Sequence, residues 1–198
     1  MWDVSARKET HVFSTDGEFP VSLAFSADAK ALMAGCWKGS IKLWQFDGPA
    51  EAATFPGHSR WVVGLALLSG GQTLISAETA IRFWDVRTRH ENALKISPRA
   101  GDYSCLALSP DGRRFAAGAS DGRITIWDIA SHQEVATLSG HKEGVMQLAF
   151  TPDGDYLVSV SKDQLRVWQA ASPSEADAAT EKEARVSFRV EGIKTNQE

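Results

Sequence analysis

Apolar and polar positions alternate along most of this chain, in short runs broken by turn residues. "SIKLWQF", "AIRFWDV", "RITIWDI" and "QLRVWQA" each place Ile, Leu, Phe or Val at alternate positions and arrive at a Trp. That is the period of a half-buried strand. Two runs precede each of these. The earlier one, "VSLAFS", "VVGLALL", "YSCLALS" or "VMQLAFT", is almost wholly apolar or small, which predicts a strand covered on both faces. The later one is "KALMAGC", "QTLISAE", "RRFAAGA" or "DYLVSVS". The two are joined by "SADAK", "LSGGQ", "SPDGR" and "TPDGD". In the Pro-Asp-Gly versions Pro presets φ and Gly accepts a positive φ, so a tight turn follows. A more polar run, "EAATF", "NALKI" or "EVATL", follows the first three Trp residues of the series. The pattern predicts a four-stranded antiparallel meander, used repeatedly. Ala24, Gly64, Ala66, Ala107 and Ala149 in the first strands suit crowding near a common axis. A sheet whose inner strand is buried must stack on neighbours, so the meanders are expected side by side around that axis.

The recurrence is metrical. Trp2, Trp44, Trp84, Trp127 and Trp168 stand 42, 40, 43 and 41 positions apart. These residues resemble the WD-repeat β-propeller family. The carriers are Trp2-Asp3, Trp84-Asp85 and Trp127-Asp128, the softened Trp44-Gln45 and Trp168-Gln169, the pairs Gly57-His58 and Gly140-His141, and the turns at Pro110 and Pro152. The resemblance covers the chain from Trp2 to about Ala171. It implies an all-β propeller segment with blades at about 18–57, 58–98, 99–140 and 141–171. A partial blade at 1–17, a polar linker at 172–184 and a closing strand with tail at 185–198 complete the division.

The resemblance also implies a role for the recurring spacing within a blade. In this family a Gly-His imidazole, a Ser or Thr on the second strand, an Asp in the next turn and the Trp indole form one hydrogen-bonded chain. The physical logic is sound, because indole N–H donates, a hydroxyl relays and a carboxylate orients the imidazole. The fourth unit has all four members, His141, Ser159, Asp163 and Trp168. The second has His58, Ser76 and Trp84, with Glu78-Thr79 in place of the Asp turn. The third has Asp121 and Trp127 without the His or the Ser, and the first has Lys38 where the Asp would lie. Unit four is therefore expected to be the most rigid and unit one the least.

Blade arithmetic leaves a question. "MWDVSARKETHVFST" aligns without gaps to "IWDIASHQEVATLSG", so the chain opens on the third strand of a unit and supplies its fourth as Glu9–Ser14. Closed propellers of this family have about seven or eight blades, on the order of 300 residues. Three arrangements are open. Blades of a longer chain precede these; two copies form an eight-bladed ring, Glu9–Ser14 of one completing Val145–Ala170 of the other; or the four units close alone.

Composition narrows the function. The formal net charge is −4 and no basic run appears, which argues against nucleic acid as a partner. No apolar run reaches membrane-spanning length. Cys36 and Cys105 have no metal-ligand spacing and read as buried thiols, which fits a reducing, cytoplasmic setting. Neither a catalytic, a cofactor-binding nor a metal site is expected. The His-Ser-Asp sets recur in phase with Trp and lack a G-x-S-x-G elbow, so a structural network accounts for them and a hydrolase triad does not. The loops at one end carry Trp37 with Lys38, Arg60 with Trp61, Tyr103, and Lys142 with Lys162. Trp, Tyr and Arg dominate binding energy at interfaces, so these are the candidate partner-binding residues. Phe19, in the same loops, is expected to pack beneath a neighbour. The first reading is a non-catalytic scaffold for a protein or peptide. The alternatives are an accessory part of a larger enzyme and an assembly subunit joined through open blade edges.

Overall fold

The computed structural model describes residues 1–26, 28–47, 53–68, 70–170 and 188–191. All regular structure among them is strand. A short hairpin comes first, β1 (Trp2–Asp3) with β2 (Lys8–Glu9). Four antiparallel sheets follow as the blades of a β-propeller segment. Blade 1 is β3 (Pro20–Phe25), β4 (Ala31–Cys36), β5 (Ile41–Gln45) and β6 (Ala53–Phe55). Blade 2 is β7 (Gly64–Leu67), β8 (Thr73–Ala77), β9 (Ile81–Asp85) and β10 (Glu91–Ile96). Blade 3 is β11 (Tyr103–Leu108), β12 (Arg114–Ala119), β13 (Ile124–Asp128) and β14 (Glu134–Leu138). Blade 4 is β15 (Val145–Phe150), β16 (Tyr156–Ser161), β17 (Leu165–Ala170) and β18 (Phe188–Glu191).

The turns behave as their residues dictate. Gly112 and Gly154 take φ +67° and +80°, and Asp111 and Asp153 accept the hydroxyls of Ser109 and Thr151. Register puts Trp44, Trp84, Trp127 and Trp168 opposite Leu32, Leu74, Phe115 and Leu157. Two residues further along the second strand lies one shared position, held by Ala34, Ser76, Ala117 and Ser159.

Blades join through a repeated contact. The last residue of an outer strand seats on the next blade's indole. Phe55 meets Trp84 edge-on at 6.3 Å between centroids, Ile96 packs in one cluster with Trp127, and Leu138 in one with Trp168. The first strands adjoin in the order β3, β7, β11, β15. At Gly64 the approach is so close that a Cβ would lie 2.6 Å from Leu106 Cβ. Burial of each large apolar side chain at these joints contributes about 1.5–3 kcal/mol.

Three expectations need correction. First strands are covered on both faces in blades 2 and 3 only. Leu23 and Phe25 of β3 and Met146 of β15 are exposed, because among the described residues blades 1 and 4 each have a neighbour on one side. Strand at the N-terminus stops at Glu9 instead of running to Ser14, and Phe13 beyond it seats on Trp44 at 5.5 Å. The closing strand is present as β18, paired antiparallel to β17. That pairing occupies the edge which a two-copy ring would have filled with Glu9–Ser14, so strand exchange of that kind does not fit. The linker at 172–184 lies outside the described residues.

Candidate functional site

Each blade carries an indole on its third strand, and the blades treat its N–H differently. In blade 2, Trp84 Nε1–H donates to Ser76 Oγ at 2.7 Å. Ser76 Oγ lies 2.6 Å from His58 Nε2, and His58 Nδ1 lies 2.9 Å from Glu78 Oε2. The Glu78 carboxylate can only accept, so Nδ1 carries the imidazole proton, and in the neutral ring Nε2 accepts from the Ser76 hydroxyl. Burial pushes the His58 pKa below its ordinary value, so the ring is neutral. Burial also works to raise the Glu78 carboxyl, but hydrogen bonds from His58 and Ser59 outweigh it and hold it below the usual range. Glu78 thus fills the place that the sequence left without an Asp.

Blade 4 uses a longer relay. Trp168 Nε1–H donates to Ser159 Oγ at 2.8 Å, and Ser159 Oγ is 2.7 Å from His141 Nε2. His141 Nδ1 then meets Ser161 Oγ at 2.9 Å, and Ser161 donates to Asp163. Asp163 itself is 3.6 Å from the ring, so Ser161 is the member that sequence reasoning missed. Blades 1 and 3 lack the relay. Ala117 stands where the serine would, and Trp127 Nε1 is buried without a partner. Asp121 pairs instead with Arg123, at 2.6 Å. In blade 1 the corresponding position is Ala34, and Lys42 reaches Asp16 at 2.9 Å.

The loop end next to blade 2 has a different character. Trp37 follows β4, Trp61 precedes β7, and their rings stack at 4.0 Å with planes 25° apart. They are 49% and 48% exposed. Arg60 Nη1 stands 3.9 Å from Asp102 Oδ2, and both side chains are largely in solvent. A cavity of about 350 Å³ opens beside them, lined by Arg60, Trp61, Val63, Glu78, Thr79, Asp102 and Tyr103. Lys38 is exposed beside Trp37, while Lys142 and Lys162 are exposed on blade 4 loops, away from the stack in sequence and in blade order. Tyr103 is a correction: it is only 4% exposed, because it starts β11 just before a register shift and turns inward, and burial pushes its hydroxyl up to about 12. It serves as a cavity wall. Phe19 is the opposite correction, since it is 76% exposed on the uncovered side of blade 1.

Residues 7–45, 50–85, 95–128 and 132–169 match the WD domain, G-beta repeat family. The chain belongs to the WD40 repeat family. Each family repeat begins on the outer strand of one sheet and ends on the Trp strand of the next, so a WD40 repeat straddles the joint where outer strand meets indole. Among curated relatives, the chain is 29% identical to Periodic tryptophan protein 2 homolog of Dictyostelium discoideum, over 82% of this chain and 18% of that protein. It is 31% identical to human Pre-mRNA-processing factor 17, over 82% of this chain and 29% of the relative. It is 24% identical to Transcription initiation factor TFIID subunit 5 of Caenorhabditis elegans, over 86% and 26%. The chain therefore spans less than a third of the length of these relatives.

Within the WD40 blades the described residues hold no group of three His, Cys, Asp or Glu able to bind a metal ion, and no helix long and apolar enough to cross a membrane. A wider open groove of about 720 Å³ lies between blades 1 and 2, lined by Ser26, Lys30, Gln45, Leu67, Gly71 and Val86 among others. No motif announced it.

Proposed function

We propose that this chain is a non-catalytic scaffold that holds a protein or peptide partner against the loop end carrying Trp37, Arg60 and Trp61. The observation that carries this reading is the stacked indole pair. Two large apolar rings are left half in water, on loops that stiff sheets fix in place, and such rings are the usual anchors of an interface. The relatives point the same way. One is named as a subunit of a transcription initiation factor and another as a pre-mRNA-processing factor, so a place in a multi-component assembly suits this chain. The hydrogen-bonded serines favour scaffold over enzyme, because Ser76 and Ser159 are 0% exposed and their hydroxyls are engaged by indole and imidazole.

Peptides selected from a random display library on the immobilised chain provide the test. The Trp37→Ala/Trp61→Ala variant should lose most binding to the selected peptides, by about tenfold or more, while its thermal midpoint stays close to that of the unaltered chain. Peptides that bind the variant as well as the parent would move the partner surface elsewhere.

A further inference from the structure

We propose that the cavity between Trp61 and Tyr103 receives a cationic side chain of the partner, a lysine or arginine, and that Arg60 is its intramolecular competitor. This rests on the reading of the loop end as the partner surface and adds the chemistry of what enters it. The cavity, at about 350 Å³, has room for a long side chain and its flanking backbone. Two of its walls are aromatic. Two of its lining groups are carboxylates, Asp102 and Glu78, against a single cation, Arg60.

Glu78 is the less expected of the two. It is 4% exposed, and its oxygens meet His58 Nδ1 at 2.9 Å and Ser59 Oγ at 3.0 Å. Ser59 is uncharged, and burial holds the His58 ring neutral with its Nδ1–H toward Glu78. The negative charge of Glu78 is therefore solvated by dipoles and not cancelled. A cation placed against Trp61 would gain from the ring face and from both carboxylates, in a site partly screened from water. An apolar side chain would touch the same rings and leave the charge of both carboxylates unmatched.

Arg60 meets this field only in part. Its guanidinium is 3.9 Å from Asp102, beyond hydrogen-bond length, and its side chain is 70% exposed. A contact of that kind is weak and readily replaced. Lys38, though adjacent to Trp37, does not line the cavity. The arrangement is a cation site whose resident cation is loosely held.

The test uses the full chain, labelled with ¹⁵N and titrated with three end-blocked peptides that differ only in one central residue: Lys, Leu or Glu. The Lys peptide should shift the Trp61 indole signal, assigned with Trp61→Phe, and the backbone amides of Thr79 and Tyr103. The Leu and Glu peptides should not. Arg60→Ala should tighten binding of the Lys peptide about threefold, and Asp102→Asn should weaken it by a similar factor. Both substitutions fall on exposed side chains, and the spectra themselves report that the fold is kept. A Leu peptide that shifts Trp61 as far as the Lys peptide, an Arg60→Ala variant that binds Lys more weakly, or no shift with any peptide would overturn the proposal. Display-selected peptides that need Trp61 but carry no cation would also overturn it and leave the scaffold reading standing. Selected peptides indifferent to Trp61 would remove the scaffold reading itself.

Discussion

Trp84 and Trp61 belong to the same blade and have opposite surroundings. Trp84 lies in β9, 2% exposed, with its N–H given to Ser76 and its ring edge against Phe55. Trp61 lies on the approach to β7, half in solvent, with only another loop indole stacked on it. The difference teaches where an indole becomes structural. A strand that supplies both a cover and an acceptor turns Trp into a fastener, while a loop that supplies neither leaves it available for contact. Trp127 stands between these cases, stacked on Phe115 and packed against the cluster that holds Ile96, but without an acceptor for its N–H.

The largest effect should separate the two indoles directly. Trp84→Ala or Trp168→Ala removes a sealed ring and is expected to cost about 3–5 kcal/mol in urea denaturation. Trp61→Ala should cost under about 1 kcal/mol. Equal costs would end the comparison.

A second pair of variants sharpens it. Ser76→Ala leaves the Trp84 N–H and His58 Nε2 buried and unpaired, at about 1–3 kcal/mol for the first and less for the second once a water or shift relieves it. The reverse change, Ala117→Ser, gives Trp127 an acceptor and should gain no more than about 1 kcal/mol. Denaturation midpoints of both proteins check this. A loss on Ala117→Ser as large as that on Ser76→Ala would mean that the hydroxyl is not what holds the indole.

Acid provides the smallest effect and the most selective. Burial depresses the pKa of His58 and of His141 in the fold. The unfolded chain takes up these protons near the ordinary value of about 6.5, and the folded chain does so only at lower pH. Stability from these groups is therefore present above about pH 6.5 and falls as pH drops through and below it. The lowered Glu78 and Asp163 carboxyls remove more stability below the ordinary carboxylate range. Amide protection factors, which divide out the slowing of intrinsic exchange as pH falls, should decrease in blades 2 and 4 between about pH 7 and 5.5, and not in blade 3, which has no such imidazole. The stacked pair contains no titrating group and should keep its spectrum.

Much of the fold was legible because strand period, turn chemistry and the spacing of Trp all repeat, and each repeat confirms the phase of the others. The relay in blade 4 was legible for the same reason. Glu78 was not, since the spacing from Ser159 to Asp163, carried over to Ser76, falls on Ala80, and only the folded turn shows that a longer side chain two positions earlier reaches His58. Ser161 was hidden because an alternating serine in β16 reads as surface. Tyr103 was misplaced by the register shift at the start of β11, which turns it inward. The contact of Trp37 with Trp61 joins loops of two neighbouring blades, and nothing local in either loop encodes a partner in the other.

The contrast at stake is between repeat indoles sealed in the sheets and loop indoles left half in solvent. One ¹H–¹⁵N spectrum of the indole N–H signals, recorded with a soluble paramagnetic agent and again during exchange into D₂O, tests it most directly. Trp84 and Trp168 should keep full intensity and exchange slowly, Trp127 should keep intensity but exchange faster, and Trp37 and Trp61 should be bleached and exchange at once. Trp37 and Trp61 signals as protected as that of Trp84 would contradict it.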